Sequence, residues 1–528
     1  MPHTAHDQAR IDRKGRLLRM IRSKRSLLHI VAAVALAGSL ATCTSGQHPQ
    51  PAPVSDVHAL DRFYDQKLSW SDCAPYATDE LSREAFRTPG VECARLTVPL
   101  DYARPQADSI TIGVLRHKAL DPANRIGSLV MDPGGPGGSG MKAAARLAPV
   151  VSNNAAGLRF DLVGFDPRGI GASRPQIHCL SDTEWDAERA GAVTSDFAVK
   201  CAQRTEHGTE MLANVGTRDV VKDLDILRAV LGDAKLSYLG YSYGTEIGYR
   251  YAETFPGNVR ALVLDGVVDP TEGEPDSLIA QGTGFSHAFG LFAQECARHD
   301  GCALGADPAR ATAVFQDLVR PLATAPAKTA DGRRLSFDDA ITAVVEGMYS
   351  EQSWPTLNNG LNLLKSGDGS VLLKLADSYY ERGSDGHYSS LQDAYYAVRC
   401  VDNPRLTDPA VIASARQRTI DAAPFLAGGR PDRDELDICA SWPVPSTSKP
   451  HRPSAPGIAP PLIISSTDDP VTAYHAGVNL ASDLGGYLLT FEGAQHTAFL
   501  HGNQCVDIAG LAYLVDGTLP PPNTHCSP

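Results

Sequence analysis

Apolar positions along the chain fall into two patterns. Short continuous runs read as strands: "ITIGVLRH" from Ile110, "GSLVMD" from Gly127, "FDLVGFD" from Phe160, "KLSYLG" from Lys235, "ALVLDG" from Ala261, "PLIISS" from Pro461 and "YLLTFEG" from Tyr487. Most are unbroken rather than alternating, as in a parallel sheet covered on both faces. Between some of them the period changes to that of a helix. In "TRDVVKDLDILRAVLG", Val220, Leu224, Leu227 and Leu231 form one stripe and Thr217 reads as the N-cap. Strands alternating with helices predict a doubly wound α/β core.

That alternation stops after "ALVLDG". About two hundred residues separate it from "PLIISS", and they read as helical. The expectation is a core over 70–270 and 455–528, with a helical lid and a proline-rich return segment over 271–454.

The N-terminus departs from this pattern. Eight Lys or Arg between residues 10 and 25 precede an apolar segment of about fifteen residues, the order of an export signal over residues 1–42. It ends in Leu40-Ala41-Thr42-Cys43, similar to a lipobox, so acylation of Cys43 is one expectation and a plain secretory signal the other. Residues 43–69 read as a flexible tether. Ten further cysteines lie as sequence neighbours: Cys73 and Cys93, Cys179 and Cys201, Cys296 and Cys302, Cys400 and Cys439, Cys505 and Cys526. An even count at short separations predicts five local disulfides in an oxidising compartment. The net charge is −13, and the leader contributes +6, leaving −19 on the remainder. An acidic chain argues against nucleic acid as a partner.

Candidate chemistry centres on "LGYSYGTEIG". Gly240-Tyr241-Ser242-Tyr243-Gly244 sits where a strand turns directly into a helix, the context in which a Gly-x-Ser-x-Gly serine is lifted above the sheet edge. A serine needs a base, and the base an acid to orient it. Asp469 follows "PLIISS" and His496 follows "YLLTFEG", both on loops leaving predicted strands at the rim where Ser242 emerges. Asp468 and His501 are the fallback acid and base. The glycine-rich "DPGGPGGSG" offers backbone N–H groups for an oxyanion, with the N–H of Tyr243 as second donor. The same loop formally matches a dinucleotide fingerprint, Gly135-x-Gly137-x-x-Gly140 with Asp161 further on. Pro136 removes a donor a pyrophosphate would need, which favours the oxyanion reading. No metal or organic cofactor is expected.

Together "DPGGPGGSG", "FDPRGIGAS", "LGYSYGTEIGYRYAETFPGNVRALVLDGVVDP", "CASWP" and "TDDPVTAYHA" resemble the secreted tripeptidyl-aminopeptidase-like α/β-hydrolases of actinobacteria. These are relatives of proline iminopeptidase and include a mycobacterial cell-envelope carboxylesterase/protease. The resemblance runs from about Trp70 to the C-terminus. It implies an α/β-hydrolase fold, Ser242 as nucleophile, Asp469 as acid, His496 as base, Thr472 in support and Gly135 as oxyanion donor. Two departures stand out: Ala473 replaces the usual proline after Thr472, and "GAQH" replaces the commoner Gly-His. Glu272, Glu274 and Asp276 are candidates to hold a substrate ammonium. The reading is an exported serine hydrolase releasing short peptides. The alternatives are an esterase or lipase on the same residues, and a non-catalytic envelope binding protein on a hydrolase scaffold.

Overall fold

The computed structural model describes residues 59–428 and 437–528. The export signal over residues 1–42 and Cys43 lie outside the described residues. The tether expectation is corrected at its end. Asp61–Tyr64 forms a helical turn whose Phe63 is only 2% exposed, because it packs into the main core, so the folded body begins before residue 70.

One nine-stranded sheet organises the chain. Its strands are β1 Val91–Pro99, β2 Ser109–His117, β3 Gly127–Asp132, β4 Phe160–Asp166, β5 Leu236–Tyr241, β6 Val259–Asp265, β9 Leu462–Ser466, β10 Tyr487–Phe491 and β11 Thr524–Cys526. β7 Ala327–Lys328 and β8 Arg334–Leu335 form a separate small ribbon. The order across the sheet is β1-β2-β4-β3-β5-β6-β9-β10-β11. β2 pairs antiparallel with β1 and β4, and the remaining pairs are parallel. β3, β4 and β5 are buried at every residue, which is why they read as unbroken apolar runs. The order reverses between β3 and β5. There the carboxyl ends of the strands open a crevice, the usual location of a site in such a sheet.

Two apolar layers cover the sheet. One face packs the helix Thr217–Val230 with Val220, Leu224 and Leu227 buried, and the other packs the helix Gly140–Val151. The expected N-cap of the first is shifted. Gly216 takes the N-cap position and Thr217 is the first helical residue. Its N–H and its hydroxyl both donate to the buried carboxylate of Asp402, so a distant acid satisfies the helix end that a local cap would have served.

Seven of the helices between β6 and β9 are Glu274–Cys296, Ala311–Val319, Phe337–Met348, Trp354–Lys365, Ser370–Tyr379, Leu391–Asp402 and Pro409–Ala422. Packing divides this insertion differently from the expected single unit over 271–454. Phe289, Phe292, Phe315, Leu357 and Phe425 build a core of the insertion's own. Ala397, Val398, Val401, Trp442 and Val444 belong instead to the main core, so the helix Leu391–Asp402 packs with the body of the protein rather than with the rest of the insertion. Buried ions tie the parts further. Arg189 bonds Asp339 and Asp377, each at 2.8 Å, and Lys142 meets Glu381 at 2.5 Å. All five nearest-neighbour disulfides are formed, Cys73–Cys93, Cys179–Cys201, Cys296–Cys302, Cys400–Cys439 and Cys505–Cys526. No helix among the described residues is long and apolar enough to cross a membrane.

Candidate active site

Ser242 sits between the last residue of β5 and the helix Tyr243–Thr254 with φ 55° and ψ −125°, a backbone region that L-residues rarely adopt. The turn is fixed on both sides. The Ser242 N–H donates to the carbonyl of Asp265 at 2.9 Å, and its own carbonyl accepts from the Thr245 N–H at 2.8 Å and the Thr245 hydroxyl at 2.6 Å. The two flanking glycines are required by close approach. A Cβ on Gly240 would lie 2.4 Å from the Gly244 carbonyl oxygen, and one on Gly244 2.6 Å from that of Asp132.

His496 and Asp469 meet. The imidazole Nδ1 lies 3.0 Å from each carboxylate oxygen of Asp469. Both side chains are nearly inaccessible, at 8% and 0% exposed, which favours a strong interaction. Asp469 is itself oriented by the N–H groups of Val471 and Thr472, each at 2.9 Å, and by the Thr472 hydroxyl at 3.1 Å. That hydroxyl is also 3.4 Å from Nδ1, so Thr472 touches both members of the pair. Burial draws the imidazole pKa down, but the Asp469 carboxylate beside it and the more distant Asp265 prevail and hold it above its ordinary value.

Among the described residues no hydrogen bond joins the Ser242 hydroxyl to the imidazole in this conformation. Such bonds often form only with substrate present. Each of them lies against the end of β6. The Asp265 carbonyl holds the Ser242 N–H, and a Cβ built on the next residue, Gly266, would lie 3.1 Å from His496 Cε1. The fallbacks lie elsewhere. Asp468 pairs with His287 at 2.8 Å near the surface, and His501 stacks on Tyr241 with ring centres 5.6 Å apart.

Gly135 and Tyr243 line one cavity wall together, beside Pro136. Gly135 has φ 118°, a conformation open to glycine. Neither its N–H nor that of Tyr243 has an acceptor among the described residues. Tyr243 opens its helix, where N–H groups lack intrahelical partners and can serve an anion. The Asp161 of the rejected dinucleotide reading accepts from the Ala119 N–H at 2.9 Å and pairs with Arg125 at 3.0 Å.

The serine opens into a cleft of about 90 Å³ lined by Gly135, Asp269, Glu272, Gln281, Thr472 and His475, which shares a wall with a further cavity of about 180 Å³. The three acidic candidates separate here. Glu272 lines both cavities and lies 3.3 Å from His475. Glu274 lines the further cavity but not the serine's cleft, and it is paired with Arg399, a cation it shares with Asp437. Asp276 lies outside the cleft, 3.5 Å from Arg418. Asp269, absent from the sequence expectations, stands beside Glu272. Its neighbouring Asp-Pro in "VVDPTEGE" was the available signal.

Two further carboxylates at strand ends also escaped the sequence reading. Asp265 closes β6 and Asp132 closes β3, both fully buried. Burial pushes Asp132 up to about 8, against the pull of the Gly134 N–H, which donates to it at 2.8 Å.

The sequence pattern of the α/β-hydrolase fold matches residues 127–502. A serine protease of Mycobacterium tuberculosis is 44% identical over 484 residues, 87% of this chain and 91% of that protein. Carboxylesterase B of the same organism is 42% identical over 514 residues, 94% and 95% of the two chains. A tripeptidyl aminopeptidase of Streptomyces lividans is 29% identical over 548 residues, 96% and 98% of the two.

Proposed function

The chain belongs to the α/β-hydrolase family and is a serine hydrolase, and from that premise we propose that it is an exported peptidase releasing short peptides from free N-termini through an acyl-enzyme. Ser242 is the nucleophile. His496 Nε2 takes its proton as the hydroxyl attacks the scissile carbonyl, while Asp469 fixes the tautomer through Nδ1 and favours the imidazolium. The N–H groups of Gly135 and Tyr243 receive the negative charge on the carbonyl oxygen. Collapse of the tetrahedral intermediate breaks the C–N bond, and His496 returns the proton to the departing amine. Water then attacks the acyl-enzyme, again giving up its proton to His496, which hands it back to Ser242. Thr472 holds Asp469 in place.

One observation favours peptides. Asp269 and Glu272 line the serine's cleft with His475 as their neighbour, a carboxylate oxygen of each acid and a ring nitrogen of the histidine all lying within 4.8 Å of one another. That excess of negative charge suits an α-ammonium, with Glu272 the group that meets it. A second reading, an esterase on the same residues, is favoured by the carboxylesterase relative. The reading as a non-catalytic scaffold is set aside by the protease and esterase relatives over most of the chain. Export is supported by the basic leader with its apolar segment and by five short-range disulfides. Cys43 is the proposed lipid acceptor.

The test is a substrate panel of free and N-acetylated peptides beside esters of graded acyl length, for the wild type and Glu272→Gln. Preference for free N-termini that Glu272→Gln weakens through KM supports the peptidase. Turnover confined to long acyl esters rejects it.

A further inference from the structure

Asp265 touches both halves of the proposed machinery. Its main-chain carbonyl accepts the Ser242 N–H at 2.9 Å. Its side chain turns the other way. Oδ2 accepts from the N–H of Ala498 at 2.8 Å and of Phe499 at 2.7 Å, two and three residues beyond His496. The loop it grips contains Thr497 and Leu500 at φ 66° and 62°, left-handed conformations that need outside support. The other carboxylate oxygen, Oδ1, is buried with no partner among the described residues. A purely structural loop anchor would be served as well by a neutral acceptor. Burying an ion here carries a desolvation cost that a neutral side chain avoids.

We infer that Asp265 is a positioning residue for His496: it ties the base's loop to the nucleophile's turn through one rigid strand end, and it places a second negative charge near the imidazole. The inference rests on the triad proposed above. A residue that spans the two loops within one side chain's length fixes their separation without a hinge, and reaction rates are sensitive to displacements of about 1 Å. When the imidazolium forms during proton transfer, the second charge favours it.

The titratable groups facing Asp265 are His496 and His501 from the loop and Tyr241 from β5, with Asp507 acting on the same Tyr241 and His501. Burial pushes the Asp265 carboxyl above the usual carboxylate range, while the two loop N–H groups and both histidines pull it back toward the ionised form.

The experiment compares pH profiles of kcat and KM for wild type, Asp265→Asn, Asp265→Ser and Tyr241→Phe. Tyr241 is the control, since its hydroxyl donates to the Phe499 carbonyl at 2.9 Å and so grips the same loop without charge. Asp265→Asn is expected to lower kcat about 10–100-fold with KM within about twofold. It also moves the acid limb of kcat/KM about 0.5–1 unit lower, because loss of the negative charge lowers the imidazole pKa. Tyr241→Phe leaves the limb where it is. Asp265→Ser serves if the Asn variant does not fold. A folded neutral variant with an unmoved acid limb overturns the inference, as does failure of both neutral variants to fold, which would mark Asp265 as structural alone. Fluorophosphonate labelling of wild type against Ser242→Ala separates this from failure of the triad reading. Loss of labelling in Ser242→Ala together with an unmoved limb in Asp265→Asn rejects only the role of Asp265.

Discussion

The main-chain N–H of His496 donates to the carbonyl oxygen of Tyr349 at 2.9 Å, and the two rings stand nearly perpendicular with centres 5.5 Å apart. Tyr349 belongs to the insertion, so the proposed base is held by the insertion as well as from the sheet. The neighbouring Ala494 N–H adds a bond to Glu351 of the same segment at 3.1 Å. The insertion is thus part of the frame of the site rather than a cover laid over it.

Removing the Tyr349 ring therefore acts on the base without touching it. Tyr349→Ala is expected to lower kcat about tenfold, by loosening the His496 ring, and to leave KM within about twofold. Tyr349→Phe keeps the ring and most of the rate. Steady-state kinetics on one peptide and one ester check both. Equal kcat for wild type and Tyr349→Ala would show that the contact does not position the imidazole.

Adjacent aspartates make a sharper comparison. Asp469 contacts His496 through both oxygens, whereas Asp468 pairs with His287 at a half-exposed position. Asp469→Asn is expected to cost about 10³–10⁴ in kcat through loss of the correct tautomer. Asp468→Asn changes a partly exposed ion pair, and activity stays within about twofold. Reversal of that order would move the acid to the fallback position.

The pH profile follows from the imidazole. The base must be neutral to accept the serine's proton, so kcat/KM rises as pH climbs through the His496 pKa. Although burial alone would lower it, Asp469 holds that pKa above the ordinary 6.5, and the acid limb is expected to be centred above 6.5. Asp469→Asn moves the limb downward. The same shift acts on stability with the opposite slope. The pair's contribution is fully present below the unfolded value and is lost as pH rises through the folded one. A limb centred below 6.5 in the wild type would contradict the dominance of Asp469.

Much of this arrangement was legible in the sequence, for a physical reason. Strands buried on both faces carry a continuous apolar signature, so β3, β4, β5, β6, β9 and β10 could be read, and with them the loops where Ser242, Asp469 and His496 stand. β1 was missed because exposed and buried residues mix along it at the sheet edge, and β11 because three residues give no period. The contributions of Asp265, Asp402, Tyr349 and Glu351 were not legible, since each acts on a partner at least 140 residues away through a main-chain or hydroxyl bond. No local pattern records such a contact. The pairing of Glu274 with Arg399, from a helix far along the chain, left no local trace either.

Asp132 offers a prediction about stability. It ends the strand that leads into the proposed oxyanion loop, and its Oδ1 accepts the Gly134 N–H at 2.8 Å while Oδ2 is buried without a partner among the described residues. Burial raises its pKa from 3.8 to about 8. The folded state therefore keeps a proton that the unfolded chain has released, and folding stability declines as pH rises from about 4 until the folded group itself ionises near 8. Asparagine has nearly the same shape, keeps the carbonyl that accepts from Gly134, and carries no charge at any pH. Asp132→Asn is therefore expected to unfold close to the wild type at pH 4, to gain on it as pH rises toward 8 and to keep a constant advantage above that, with activity at pH 7 largely retained. Thermal melts of the two proteins across that range measure the difference directly. A gap that stays constant or closes as pH rises toward 8 would mean that Asp132 is ionised in the folded protein, its charge met by a group other than the Gly134 amide.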